Sequence, residues 1–160
     1  MGLRARNRVA IGLVLVLAGM VCGAAAARAQ EDHGYWRAAS SNALAIMGDV
    51  TIGQLKVAIN FLTFPLAPIR RLKPVEVSAM FDADVNAGIE GSLYRLKVPP
   101  HQYIVRKNTL CGDEETPWMV TYVSGRSMQA AFFSGDDEPV FTFDAVQKSS
   151  ALCGTFTYGR

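Results

Sequence analysis

Beyond residue 29, apolar and polar positions alternate with a period of two over most of the chain. Leu55, Val57 and Ile59 alternate with Lys56, Ala58 and Asn60, the pattern of a half-buried strand. Val75, Val77 and Ala79 stand opposite Glu76 and Ser78, and Ser92–Val98 repeats the alternation. Trp118–Ser124 and Arg126–Ser134 read as the clearest hairpin, with Gly125 at its tip. Trp118, Val120 and Tyr122 share one face, and Met128, Ala130 and Phe132 share another. Shorter extended pieces are expected at Asn42–Met47, Val50–Ile52, Tyr103–Val105, Val140–Phe143 and Leu152–Tyr158. Pro99-Pro100 stops the strand before it, and Phe61–Pro68 is apolar but carries prolines that argue against a central strand. No sustained 3.6-residue periodicity follows the first 29 residues, although Ala38–Ala45 and Asp144–Ala151 leave room for a helical turn. Short strands with frequent turn signals predict an all-β fold, a small antiparallel β-barrel or sandwich.

The opening of the chain reads as a sorting signal. Arg4, Arg6 and Arg8 precede an uncharged stretch from Val9 to Ala27, and Ala27-Arg28-Ala29 fits a signal-peptidase site. The expected division is a signal peptide over residues 1–29, cut between Ala29 and Gln30, and one β-rich domain over residues 30–160. Left uncut, the apolar run is long enough to anchor the chain in the inner membrane. Cys22 follows Gly19-Met20-Val21, which lacks the small residue that lipidation needs directly before the cysteine, and no Arg-Arg pair marks a twin-arginine signal. The expected destination is periplasmic or secreted.

Cleavage changes the electrostatic picture. The whole chain carries 16 Lys+Arg against 14 Asp+Glu; the leader takes four arginines and no acid, leaving 12 against 14, a net of −2. Nothing in that balance favours nucleic acid. The leader also removes Cys22. Cys111 and Cys153 then remain in an oxidising compartment, where pairing is the default. Closing the loop of 42 residues between them stabilises the fold by about 4 kcal/mol in chain-entropy terms, against a whole-domain stability of about 5–15 kcal/mol. The bond would tie the last strand to the segment that enters the main hairpin. Gln30–Gly34 is polar and expected to fray.

The runs Trp36…Ala45-Ile46-Met47-Gly48-Asp49-Val50-Thr51-Ile52, Asn108-Thr109-Leu110-Cys111-Gly112, Ala131-Phe132-Phe133-Ser134-Gly135 and Leu152-Cys153-Gly154-Thr155-Phe156-Thr157-Tyr158 resemble a family of small uncharacterised exported proteins from alphaproteobacteria. The resemblance implies an architecture and a compartment, and carries no chemistry. A weaker likeness is to small disulfide-stapled periplasmic barrels that inhibit lysozyme through a Ser-Gly-x-x-Tyr loop. Here Ser124-Gly125-Arg126-Ser127 is followed by Met128, where that pattern wants Tyr.

Candidate chemistry is sparse. Asp82, Asp84 and Asn86 have the alternate spacing that opens a calcium loop, but Ala87 stands where the loop needs glycine and Leu93 where it needs a bidentate Glu. Asp113–Glu115 and Asp136–Glu138 are acidic clusters beside turns. Arg70, Arg71 and Lys73 form a basic knot expected in a solvated loop. His33 and His101 are the two histidines, and no G-x-S-x-G elbow occurs. No cofactor, metal or catalytic residue is expected. The leading expectation is a non-catalytic binding or inhibitor-like module for a protein or small ligand of the cell envelope. Its surface would be the loops around Arg70–Lys73, Asp82–Glu90 and Gly125. The alternatives are an envelope-associated structural or stress protein, and a hydrolase with an unrecognised site that uses His101 and Glu90.

Overall fold

The computed structural model describes residues 32–87 and 89–160; the expected leader and the cut between Ala29 and Gln30 lie outside them. Eight strands close into an antiparallel barrel: β1 (Gly34–Ala38), β2 (Val50–Ile52), β3 (Lys56–Ile59), β4 (Leu62–Leu72), β5 (Gly91–Val98), β6 (Thr116–Ser124), β7 (Ser127–Phe133) and β8 (Leu152–Gly159). Each strand pairs with its neighbour in sequence, and β1 closes the sheet on β8 through Arg37↔Gly159 and Ala38↔Tyr158. The open alternative, a sandwich, is thereby excluded. Cys111 and Cys153 are bonded, with Cα atoms 5.1 Å apart.

The two-residue period explains how the sheet is covered on both faces. Trp36, Tyr94, Leu96, Met119, Met128, Phe132, Phe156 and Tyr158 point inward and fill the barrel. An eight-stranded barrel is just wide enough for such a filling. The opposite set, including Leu72, Leu93, Trp118, Val120 and Phe133, forms a second apolar cluster on the outer wall. Two short helices shield it: α1 (Pro74–Phe81) through Val77, Met80 and Phe81, and α2 (Phe143–Lys148) through Val146. At Gly91 an added Cβ would lie 2.9 Å from the Thr121 carbonyl oxygen and from Val77 Cγ2, so the bare backbone lets α1 sit close.

Several local expectations are corrected. Val75–Phe81 is helical. Pro74 occupies the first turn, Glu76 accepts the Lys73 N–H at 2.8 Å, and the buried Val77, Met80 and Phe81 follow helical spacing. Most of the stretch Phe61–Pro68 does enter the sheet, as Leu62–Pro68 of β4, because neither proline needs an N–H there. Leu66 N–H bonds to Leu55, so Pro65 faces the side where β5 pairing begins only at Leu66. Pro68 faces the side that β3 has already left. Arg70 and Arg71 therefore end a strand instead of lying in a loop. Residues Ala43–Met47 form a π-helical turn in place of an extended piece, and neither Tyr103–Val105 nor Val140–Phe143 forms a strand. The helical turns expected within Ala38–Ala45 and Asp144–Ala151 are present in part, at Ala43–Met47 and Phe143–Lys148.

Of the polar start, the described residues begin at Asp32, which is fixed in place and does not fray. Asp32 is 3% exposed at one mouth of the barrel. Its Oδ2 accepts the Tyr94 hydroxyl at 2.7 Å and also the Thr121 hydroxyl, while its carbonyl accepts Trp36 Nε1–H at 2.8 Å. Burial, together with the Asp32 charge, pushes the Tyr94 pKa well above the ordinary tyrosine value, so the phenol stays a donor.

Candidate functional site

The barrel has two ends, and they differ in chemistry. At the end bearing Gly125, the loops expected to form a binding surface do come together, since β4 finishes, β5 starts and β6 turns into β7 there. Several of their charges, however, are engaged. Arg70 donates to both Glu76 carboxylate oxygens at 2.9 Å and to Glu138 at 2.8 Å. Arg71 lies 3.9 Å from Glu90. Asp84 Oδ1 accepts the Asn86 backbone N–H at 2.9 Å, a local turn contact. Among the described residues no group of three His, Cys, Asp or Glu side chains could hold a metal ion. Met128, at the position where the inhibitor loop wants Tyr, is buried inside the barrel.

His101 and Glu90 do not meet. They flank opposite ends of the eight-residue β5, about 25 Å apart along an extended strand. His101 Nδ1 instead lies 3.2 Å from Asp113 Oδ1, and both side chains are largely in solvent.

Four connections leave the other end: residues 134–151 carry α2 onto the outer wall, and the remaining three segments are joined to one another. The first is the turn between β3 and β4. Ile59 pairs with Leu62, leaving Asn60 and Phe61 as a two-residue loop. Both have positive φ, 45° and 71°, as a type I′ turn demands. The second is the π-helical turn Ala43–Met47. The third is the loop 99–115 between β5 and β6, which has no regular structure of its own.

Side-chain amides bind the three together. Asn60 Nδ2 donates to the Ile104 carbonyl at 2.8 Å, and Asn108 Nδ2 donates to the Ala45 carbonyl at 2.7 Å. Gly48 lets the turn approach, for a Cβ there would lie 2.9 Å from Asn60 Oδ1. Within the loop, Ile104 N–H bonds to Asn108 and Asn108 N–H to Val105, folding residues 104–108 into a tight bend. Ile104 and Leu110 drop into the barrel core, and Cys111 fixes the descending limb to β8. A loop this long, held this firmly, is a frame for presenting side chains.

Phe61 is what the frame presents. Its side chain is 98% exposed. The second position of a type I′ turn favours glycine, and holding an L-residue there costs roughly 1–2 kcal/mol. Phe61 thus accepts backbone strain without gaining any burial in return. Leu44 and Tyr103 on the neighbouring segments are 59% and 57% exposed. Arg106 and Lys107, at the bend, are exposed and have no ion-pair partner among the described residues. Along the sequence Phe61 reads as one more apolar residue. The available signal was Asn60, a residue tolerant of left-handed backbone, between two strands.

A groove of about 510 Å³ runs beside the β1–β8 seam, lined by Tyr35, Arg37, Ala39 and Arg160. Arg160 lies 4.3 Å above the Trp36 ring, and the Tyr35 hydroxyl donates to Asp49. The Tyr35 bond, with a further one from Ala38 N–H, holds the Asp49 carboxyl below its ordinary pKa.

No protein family, curated protein or solved structure matches this chain. Among the described residues no helix is long and apolar enough to cross a membrane.

Proposed function

We propose that this chain is an exported, non-catalytic recognition domain of the bacterial cell envelope, and that it engages its partner through the barrel end that carries Phe61. The exposed, strained Phe61 carries the reading. A local rule broken at a fully exposed position, with no compensation inside the fold, marks a residue kept for something outside it. The filled interior favours surface recognition over a ligand held within the barrel. The Arg4–Ala29 leader pattern and the Cys111–Cys153 bond support export to an oxidising compartment.

Site-specific photo-crosslinking in living cells tests this. A crosslinker at position 61 should give an adduct, while one at Val140, also exposed but on a different segment, should not. Absence of any adduct from position 61 removes the reading.

A further inference from the structure

We infer that the Phe61 end docks on the surface of an anionic phospholipid bilayer; this rests on the recognition role proposed above and names its partner. Three of the exposed apolar side chains, Leu44, Phe61 and Tyr103, stand on three separate turns, and the turns are tied together through Asn60–Ile104 and Asn108–Ala45. They stand on connections between strands at one end of the barrel. A protein partner binds its anchors in shaped pockets, whereas a lipid interface accepts apolar tips of any arrangement that reach the same depth.

The residue types fit the depth they would occupy. Phe61 at the apex is fully apolar, and Tyr103 has an apolar ring with a polar tip, the kind of side chain enriched at headgroup level. Arg106 and Lys107 sit at the bend that begins at Ile104, whose carbonyl is bonded to the Phe61 turn. Basic side chains beside an apolar tip favour anionic headgroups. Two acids of the same end have partners of their own, although the Asp49 carbonyl also accepts Asn60 N–H at 2.9 Å. Asp49 is held by Tyr35 and Ala38, and Asp113 by His101. Glu114 and Glu115 lie at the base of the loop, where β6 begins, and Glu115 lines a wall groove with Pro65 and Lys97.

The test is flotation of the oxidised, exported protein with vesicles of phosphatidylcholine alone or mixed with phosphatidylglycerol, its N-terminus established by mass spectrometry. The protein should float with the mixed vesicles and lose that association in high salt. Phe61→Gly should weaken it about tenfold or more without lowering the melting temperature. The double variant Arg106→Ser, Lys107→Ser should lose the preference for the anionic vesicles. Failure to float at either composition, flotation of Phe61→Gly like the parent, or an unchanged lipid preference in the double variant each overturns the inference. If vesicles are not bound but a crosslinker at position 61 still yields a protein adduct, the membrane assignment fails and the recognition role stands.

Discussion

Asn60 and Ile104 lie 44 positions apart in sequence, yet the Asn60 side-chain amide donates to the Ile104 carbonyl at 2.8 Å. That bond fastens the β3–β4 turn to the bend of the 99–115 loop. It makes one rigid end of what would otherwise be two independent tips.

The left-handed backbone at Phe61 should be relieved by glycine. Phe61→Gly is expected to stabilise the domain by about 0.5–1 kcal/mol, the relief of strain outweighing the added freedom of the unfolded chain. Calorimetry should show a melting temperature higher by about 2–4 °C. A lower value would mean that the ring makes contacts the exposed geometry does not show.

Replacing both Cys111 and Cys153 with Ser should cost about 2–4 kcal/mol. The loss should be uneven. Hydrogen exchange should rise first across residues 99–115 and at the start of β8, while the β6–β7 hairpin keeps its protection until global unfolding. Uniform loss of protection would contradict a bond whose role is to pin one loop.

Asp32→Ala removes the acceptor for two buried hydroxyls, those of Tyr94 and Thr121. Stranding them should cost about 2–4 kcal/mol in urea unfolding. Asp32→Asn keeps a carbonyl at the same place and should cost markedly less. Equal costs for the two variants would show that charge, and not acceptance, matters at this mouth.

The Arg70–Glu76 pair gives a pH signature. Hydrogen bonds from Arg70, and then from Lys73 N–H, hold the Glu76 carboxyl below its ordinary pKa. The unfolded chain therefore takes up the proton first as pH falls. This contribution is complete above the ordinary glutamate pKa of about 4.3 and is lost as pH falls through the lower, folded value. Melting temperature should decline between about pH 5 and pH 3, and less steeply in Glu76→Gln. An unchanged slope in that variant would assign the acid loss to other groups, Asp49 first among them.

Much of the barrel could be read from the chain. The alternation of Trp118, Val120 and Tyr122 against Met128, Ala130 and Phe132 does separate outer wall from interior, because a pleated strand sends successive side chains to opposite faces. Helix α1 was hidden because Val75, Val77 and Ala79 also satisfy a period of two; only Pro74, Glu76 and the Met80-Phe81 pair betray the turn. Strand β4 was hidden because a proline is excluded from a strand only where its nitrogen faces a partner, and sequence does not tell which side that is. Asp32 was hidden because a short polar run before a strand looks the same whether it waves in water or plugs a barrel. The candidate site was the least legible part. It depends on the amides of Asn60 and Asn108 reaching across the fold, and pattern along the chain carries no record of such distances.

Closure through β1 and β8 has a consequence for how the molecule is made. A chain that emerges with its N-terminus first, from a ribosome or through a pore, holds β1 ready but cannot give it a neighbour on that side until β8 is out. A product cut short before Leu152 lacks β8, so the unpaired flanks of β1 and β7 would both be left open to other chains.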